Sequence, residues 1–172
     1  FNDALLELSS RFVQLNSSLY RKHLKAQVKV NTPRAELYYY QHSEGQTLLD
    51  RVWLCLHRIA EDASVEQVKR PTIFLISRYH FNLEQADLKS LRAEFPSLKI
   101  KHLTAHASKG READYVIILS LENKLYGFPN RKSDDPIINL VLPHQESFPD
   151  AEESRLFYVA MTRAKRRIYL LA

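Results

Sequence analysis

Apolar residues recur at two kinds of spacing along the chain, and these spacings predict helices that alternate with short strands. Steps of three and four residues, as in Leu5, Leu8 and Phe12, are typical of a helix with one buried face. Short continuous apolar runs are typical of strands that are covered on both faces. The predicted helices span residues 3–15, 47–60, 83–95 and 151–164, and the predicted strands span 35–41, 72–76, 98–103, 115–119 and 167–171.

This alternation indicates an α/β layer fold with a mostly parallel sheet. Residues 120–149 interrupt it, since they contain four of the seven prolines and little periodicity, and we interpret them as a long connection. In sheets of this kind, ligands bind beyond the carboxyl ends of the strands. We therefore expect functional side chains at Ser77 and Arg78, in residues 104–110, and after Leu119.

Arg78 closely follows the predicted strand at residues 72–76. Its planar guanidinium can bind a phosphate through two parallel hydrogen bonds, and the end of a buried strand is a common place for such a group. The alternative is an ordinary surface arginine at a strand exit. Both interpretations remain open on the local sequence alone.

The stretch "TAHASKGREADYVIIL" contains Ser-Lys-Gly, which resembles a phosphate-binding loop in reverse order. A P-loop requires Gly-x-x-x-x-Gly-Lys-[Ser/Thr], because its glycines allow backbone N–H groups to surround the phosphates. The chain has three glycines, Gly45, Gly110 and Gly127, and none of them precedes Lys-Ser or Lys-Thr. These 172 residues therefore contain no P-loop of their own.

The same stretch places four short donor side chains in a loop after a predicted strand. Thr104, His106, Ser108 and Lys109 are of the types that contact nucleic-acid phosphates without reading bases. A metal site at His102 and His106 is not expected, because no third ligand stands at a suitable spacing.

The last predicted helix carries Leu156, Val159, Ala160 and Arg163 at steps of three and four residues. We expect Arg163 to end this inward-facing stripe and to reach a cleft or a neighbouring domain. The basic residues that follow are interpreted as cations that favour the carboxyl end of the helix, and they include Arg166 and Arg167.

Composition narrows the class of protein only modestly. The chain has 25 Lys and Arg against 20 Asp and Glu, a net charge of +5 that favours an anionic partner. The one cysteine, Cys55, excludes an internal disulfide, is expected to be buried, and fits a reducing, cytoplasmic setting. The apolar runs are too short for a membrane span, so no membrane partner is expected. Because the chain begins at Phe1 rather than methionine, we expect it to be a piece of a longer protein.

Three stretches together resemble the UvrD/Rep family of superfamily 1 DNA helicases, and especially its helicase IV branch. The resemblance lies in "IFLISRYHFNLE" (motif IV), "TAHASKGREADYVII" (motif V) and "EESRLFYVAMTRAK" (motif VI), in that order. It is clear over residues 72–172 and looser before them.

The resemblance implies that residues 1–172 form one RecA-like domain of the P-loop NTPase type, with three layers, a mostly parallel sheet and no P-loop. It would be the second, C-terminal motor domain of an ATP-dependent 3′-to-5′ DNA helicase. ATP and Mg²⁺ would bind mainly to an N-terminal RecA-like domain of the same protein, so the isolated chain is expected to be inactive. Single-stranded and duplex DNA would be the other partners, in a nucleoid-associated setting.

Site residues follow from the motif positions. The resemblance implies that Arg163 is the arginine finger and Arg78 a second phosphate-sensing arginine. It implies nucleotide contacts by Gly110 and Glu112. DNA contacts are implied for four residues: Thr104, His106, Ser108 and Lys109. Arg111 departs from the leucine that is usual in the family, which weakens the inference for Glu112.

A second hypothesis keeps the fold but not the activity. A basic α/β module without a P-loop could bind nucleic acid or a protein partner without any turnover. The absent P-loop and the net charge of +5 motivate this second hypothesis.

Overall fold

A computed structural model of the protein describes residues 3–14, 35–39, 47–130 and 151–172. Within these ranges the predicted helices and strands are confirmed, with shifts at their ends. The helices are α1 (Asp3–Gln14), α2 (Leu48–Val65), α3 (Gln85–Glu94) and α4 (Ala151–Met161). The strands are β1 (Ala35–Tyr38), β2 (Thr72–Ser77), β3 (Lys99–Thr104), β4 (Ala113–Ile118) and β5 (Ala164–Leu171).

Two predicted ends shift for identifiable reasons. A 3₁₀ turn at His80–Asn82 and an extended Leu83 delay the start of α3. Helix α4 ends at Met161, because the chain turns and enters β5 at Ala164. Of the predicted long connection, residues 120–130 form turns and an isolated bridge, and residues 131–149 lie outside the described ranges.

The five strands that the structure describes form one sheet in the order β1-β5-β4-β2-β3, and every neighbouring pair is parallel. This confirms the predicted parallel α/β architecture. Strand β2 lies near the middle and pairs with both β3 and β4. All strands start at one edge of the sheet, the amino edge, and end at the opposite carboxyl edge.

Helices cover both faces of the sheet, which gives three layers. Because side chains alternate along a strand, Ile73 and Leu75 of β2 pack with α2 and α3, whereas Phe74 and Ile76 pack with α1 and α4. Burial on both faces explains why the central strands are continuously apolar rather than alternating.

Helix α2 shows how local sequence sets an element end. The Thr47 hydroxyl accepts a hydrogen bond from the Asp50 backbone N–H, and the Asp50 carboxylate accepts one from the Thr47 N–H. This capping box begins a helix whose apolar face contains the completely buried Cys55. Burial raises the pKa of the Cys55 thiol to about 12, so the thiol stays protonated and packs as a small apolar group. In the described ranges, every helix is too short or too polar to span a bilayer.

Candidate functional site

The β3–β4 loop (residues 105–112) connects the two edges of the sheet. At its start, the Ala105 N–H donates to the Ser77 carbonyl at 2.9 Å, beside the carboxyl end of β2. Just after its end, the Ala113 N–H donates to the Arg163 carbonyl at 3.0 Å, where β5 begins. The loop therefore covers the length of a strand, about 20 Å for six residues. It brings some of the predicted site residues to each edge.

Thr104 and His106 lie at the carboxyl edge. The Thr104 hydroxyl accepts a hydrogen bond from the Ala107 N–H at 3.2 Å, so it stabilises the turn that starts the loop. The His106 side chain is exposed, and its Nε2 lies 4.0 Å from a Glu152 carboxylate oxygen. Of the Thr104 and His106 side chains, the His106 imidazole is the one that a ligand outside the sheet can contact.

Ser108 and Lys109 have different surroundings. Ser108 is completely buried, and its hydroxyl donates to the Ala105 carbonyl at 2.7 Å. The Ser108 hydroxyl is therefore covered and bonded inside the loop, an arrangement that does not favour the predicted contact with DNA. Lys109 is exposed and can reach an external anion.

Gly110 has an unusual backbone conformation in the part of the loop that approaches the amino edge. Its φ is +75°, in the left-handed region that glycine adopts without a steric penalty. A Cβ built at this position would meet nothing within 4 Å, so the backbone conformation, rather than lack of space, requires glycine here. The position thus shapes the loop on which Glu112 is carried.

Arg163 lies at the amino edge, two residues beyond the end of α4. Its guanidinium donates to three neutral oxygens: the carbonyls of Val159 (2.9 Å) and Arg111 (3.1 Å), and the Thr162 hydroxyl (3.0 Å). These bonds hold the side chain against the last turn of α4 and the end of the β3–β4 loop. In the part of the chain that the structure describes, no carboxylate pairs with Arg163, so its positive charge is not neutralised.

This placement corrects the predicted helix stripe. Arg163 is not part of the helix, and of the apolar stripe only Ala160 is fully buried, while Leu156 and Val159 are half-buried. The cation at the helix carboxyl end is Arg163 itself. Arg166 and Arg167, predicted to have that role, belong to β5 and form ion pairs with carboxylates.

Glu112 stands beside Arg163 at the same edge. Its carboxylate is exposed and lies 3.2 Å from the Lys165 ammonium group. Arg166 pairs nearby with Glu66 and lies 3.9 Å from Asp114. The amino edge is therefore an ionic surface in which Arg163 is the cation that contacts only neutral atoms among the described residues.

Arg78 lies at the other edge. Its Nε donates to Glu153 at 2.9 Å, and both side chains are largely buried, with 15% and 11% of their areas exposed. The second Glu153 oxygen accepts from the Asn130 N–H at 2.9 Å. The structure therefore does not bring Arg78 and Arg163 together: they lie about 20 Å apart along the strands. The ion pair between Arg78 and Glu153 instead connects the end of β2 to α4.

His102 is a buried histidine beneath the carboxyl edge. Its Nε2 is 2.8 Å from the Ser77 hydroxyl, and its ring centroid is 5.6 Å from that of His80. Burial, followed by the nearby His80, lowers the pKa of His102 to about 4, so the imidazole is neutral at pH 7. Within the described ranges, no three His, Cys, Asp or Glu side chains are grouped to hold a metal ion.

Two features of the carboxyl edge were not predicted from the sequence. One is Glu153, which the helix pattern marked only as an acidic first-turn residue. The other is a group of aromatic rings from two distant segments, the half-buried Tyr79 and the exposed Phe81 and Tyr126. The spacing of Tyr79 and Phe81 after a predicted strand was the one available signal, and nothing in the sequence connected it to Tyr126.

Comparison with known proteins identifies the family. Residues 5–172 match the UvrD-like helicase C-terminal domain. DNA helicase IV of Escherichia coli K12 is 35% identical over 171 residues, which are 99% of this chain and 23% of that protein. The exonuclease/helicase subunit RexA of Lactococcus lactis is 27% identical over 125 residues, 53% of this chain and 10% of that protein.

A solved structure shares the fold. The crystal structure of the C-terminal domain of a possible DNA helicase from Lactobacillus plantarum superimposes with a TM-score of 0.52 at 15% identity, covering 99% of this chain and 84% of that one. The chain spans about a quarter of the helicase IV relative and a tenth of RexA. On the family match and the shared RecA-like fold, this chain belongs to the UvrD-like helicase C-terminal domain family.

Proposed function

We propose that this domain is the C-terminal motor half of an ATP-dependent DNA helicase that moves 3′-to-5′ on single-stranded DNA. In this proposal Arg163 stabilises the phosphate that is transferred from ATP, and the β3–β4 loop links that phosphate to DNA at the carboxyl edge. The DNA contacts proposed there are His106 and Lys109, with Thr104 shaping the loop. Family membership and the helicase relatives support the class of enzyme.

One observation carries the assignment of Arg163. A guanidinium that contacts only neutral oxygens keeps its full charge, and it can exchange hydrogen bonds to neutral acceptors for bonds to an anionic phosphate, in which both partners are charged. Arg78 would have to leave a largely buried carboxylate first, which is far more costly. Of the two arginines at motif positions, Arg163 is therefore the one whose surroundings suit an arginine finger.

The residues present fit one side of an ATP site. Arg163 offers guanidinium donors for phosphate, and Glu112 offers a carboxylate that can accept from ribose hydroxyls beside Gly110. No P-loop occurs in the sequence, and no acidic metal-binding group occurs in the described ranges. We assign Mg²⁺ and the phosphate chain to an N-terminal RecA-like domain of the same protein, as the resemblance to the helicase family implies.

The test is Arg163→Ala in the protein at its full natural length. Loss of an arginine finger lowers phosphoryl-transfer rates by about 10³–10⁵, so DNA-stimulated ATP hydrolysis should fall by at least about 10³. Binding of ATP and of oligonucleotide should persist. Arg166→Ala is the matched control, because it removes the same charge at the same edge from a residue already paired with carboxylates.

Two results would contradict the proposal. Wild-type turnover in Arg163→Ala would remove the arginine-finger role. Loss of turnover in Arg78→Ala at unchanged stability would restore Arg78 as a phosphate-sensing residue. The polarity has its own measurement, strand displacement from duplexes with a 3′ or a 5′ single-stranded tail, and unwinding only from the 5′ tail would reverse it.

The second candidate is a binding module without turnover, which the net charge of +5 and the absent P-loop favour. It predicts oligonucleotide binding that weakens steeply with salt and no ATP hydrolysis at full length. DNA-stimulated hydrolysis that depends on Arg163 would exclude it.

A further inference from the structure

The Thr162 hydroxyl lies at the centre of a small hydrogen-bonded cluster just after α4, which we call the Thr162 cluster: Val159, Thr162 and Arg163. The hydroxyl donates to the Val159 carbonyl at 3.0 Å and accepts from Arg163 Nη2 at 3.0 Å. The same carbonyl also accepts from Arg163 Nε at 2.9 Å. The carbonyl, the hydroxyl and the guanidinium are therefore joined in a closed ring of hydrogen bonds.

The turn that ends α4 brings these groups together. The Arg163 N–H donates to the Ala160 carbonyl at 3.2 Å, whereas the next turn of an α-helix would have used the Val159 carbonyl. Carbonyls in the last turn of a helix need partners from outside the helix. The Val159 carbonyl finds them in two side chains, so the end of the helix and the Arg163 side chain stabilise each other.

Threonine suits the central place in this cluster. Its two heavy atoms on Cβ restrict the side chain to few rotamers, and Thr162 is also half-buried. Because the hydroxyl proton is used on the Val159 carbonyl, the oxygen lone pairs remain for the guanidinium. The direction of the acceptor is thus fixed before any ligand binds.

The cluster leaves part of the guanidinium available to an anion. A guanidinium has five N–H donors, two on each terminal nitrogen and one on Nε. Nη2 uses one donor on Thr162, and Nη1 uses one on the Arg111 carbonyl at 3.1 Å. Among the described residues, each terminal nitrogen therefore keeps one further N–H, and phosphate accepts two parallel bonds from such a pair. A phosphate can bind while the Thr162 cluster stays intact.

We propose that Thr162 is a positioning residue for Arg163, whose guanidinium its hydroxyl holds where the transferred phosphate is bound. Thr162 does not itself touch the nucleotide in this proposal. The inference rests on the proposed function, because it requires that Arg163 is the arginine finger. Position matters for such a group, since a displacement of about 1 Å can lower a rate about 10²-fold.

The test is Thr162→Val in the protein at its full natural length, because valine keeps the branched shape and removes only the hydroxyl. The kcat of DNA-stimulated ATP hydrolysis should fall about 10- to 100-fold. The KM for ATP should stay within about 2-fold, because the contact acts in the transition state. Thr162→Ser keeps the hydroxyl, so its kcat should stay within about 3-fold of the wild type. If Thr162→Val does not fold, Thr162→Ala takes its place with the same expectation.

A second measurement does not depend on turnover. ADP with aluminium fluoride imitates the phosphate during transfer, whereas ADP alone does not. Thr162→Val should weaken binding of the aluminium fluoride complex about 10- to 100-fold and leave the affinity for ADP unchanged. A purely structural role of Thr162 would not change the ratio of these two affinities.

Thr72→Val is the matched control. It removes a half-buried threonine hydroxyl at the same edge of the sheet, at the start of β2. In the part of the chain that the structure describes, this hydroxyl bonds to no arginine, so kcat and both affinities should match the wild type. Urea denaturation of each variant checks that the protein is folded under the assay conditions.

The outcomes distinguish this inference from the proposed function. If Arg163→Ala loses turnover but Thr162→Val keeps the wild-type kcat, the positioning role is wrong and the arginine finger stands. A kcat as low in Thr162→Ser as in Thr162→Val would show that the hydroxyl is not the cause, and a raised KM at unchanged kcat would indicate a role in ATP binding. Either result would overturn the inference. Wild-type turnover in Arg163→Ala would overturn both proposals.

Discussion

The two edges of the sheet carry opposite kinds of surface although one short loop joins them. The carboxyl edge exposes aromatic rings, and its arginine, Arg78, is largely buried against Glu153. The amino edge is ionic and exposed, and its arginine, Arg163, contacts only neutral oxygens among the described residues. The same residue type therefore stabilises the fold at one edge and remains available for an anion at the other.

The two arginines differ in availability because their guanidinium groups have different hydrogen-bond partners. A buried ion pair is expensive to break, because the remaining charge is left without compensation, whereas exchanging bonds to carbonyl oxygens for bonds to phosphate is favourable. The β3–β4 loop gives the two edges a physical connection, since its first and last hydrogen bonds anchor it to the ends of different strands. Substitutions at each edge therefore test whether the two arginines differ in this way.

Removing the carboxylate at the carboxyl edge should have the largest effect on stability. Glu153→Ala leaves the Arg78 guanidinium and the Asn130 N–H without their partner, and breaking a buried ion pair in this way costs about 3 kcal/mol. Urea denaturation measures the loss. Glu152→Ala, an exposed neighbour in the same helix turn, should change stability by less than about 0.5 kcal/mol. Equal effects of the two substitutions would show that Arg78 is not held structurally.

Acid should lower the free energy of unfolding through His102. The pKa of His102 is about 4 in the folded protein and has its usual value of 6.5 in the unfolded chain. Between these two pH values, the imidazole therefore binds more protons in the unfolded chain than in the folded protein. Stability is therefore complete above about pH 6.5 and falls as the pH drops toward 4, with a slope of up to about 1.4 kcal/mol per pH unit.

His102→Gln should flatten this slope between pH 6.5 and 5, and urea denaturation at several pH values measures it. His80→Gln is the comparison: because His80 is the smaller of the two causes of the lowered pKa of His102, this variant should keep most of the slope. A wild-type slope in His102→Gln would assign the acid sensitivity to other groups.

Gly110 should be replaced by asparagine at a lower cost in stability than by alanine. Gly110→Ala places a Cβ in a left-handed backbone conformation, which lowers the free energy of unfolding by about 1–2 kcal/mol. Gly110→Asn should lower it less, because asparagine adopts this conformation more readily. At Gly127 lack of space is the constraint, so asparagine there should be no better than alanine.

Thermal denaturation of the four glycine variants checks this contrast. If the loop also transmits DNA binding to ATP turnover, Gly110→Ala should lower the DNA stimulation of ATP hydrolysis more than the basal rate. Equal reductions of both rates would argue against a coupling role for the loop.

The smallest effect on stability is expected at the exposed pair of the amino edge. Glu112→Gln removes an ion pair with Lys165 that is open to solvent, so stability should change by less than about 0.5 kcal/mol. If Glu112 accepts a hydrogen bond from the nucleotide, the KM for ATP should rise about 2- to 10-fold in the protein at its full natural length. Lys165→Ala, which leaves the carboxylate intact, is the matched control and should raise it less.

Much of the fold was predictable because its signals are local. The continuous apolar run around Phe74 and Leu75 specifies a strand that is buried on both faces, and the alternation of such runs with helical spacings specifies a parallel sheet. The buried thiol of Cys55 was predictable for the same reason, since its neighbours at helical spacing are apolar. Motifs V and VI are also local stretches of sequence, and they were sufficient to predict the family.

Interpretations of individual site residues depended on contacts that local spacing does not specify. Ser108 looked like an exposed donor, but the loop folds its hydroxyl back onto the Ala105 carbonyl. Arg163 looked like the end of a helical stripe, but α4 stops at Met161 and the side chain bonds across to Arg111.

Periodicity and motifs are properties of neighbouring residues, so the sequence alone was sufficient to predict the helices, the strands, a mostly parallel sheet and the family. The edge at which each predicted site residue lies depends on tertiary contacts. Strand direction and register place Arg78 and Arg163 at opposite ends of the sheet, and Glu153 reaches Arg78 from a helix that is distant along the chain. Strand order also brings together two aromatic rings at the carboxyl edge. Phe81 and Tyr126 are in contact because β2 and β4 are neighbours that end at the same edge.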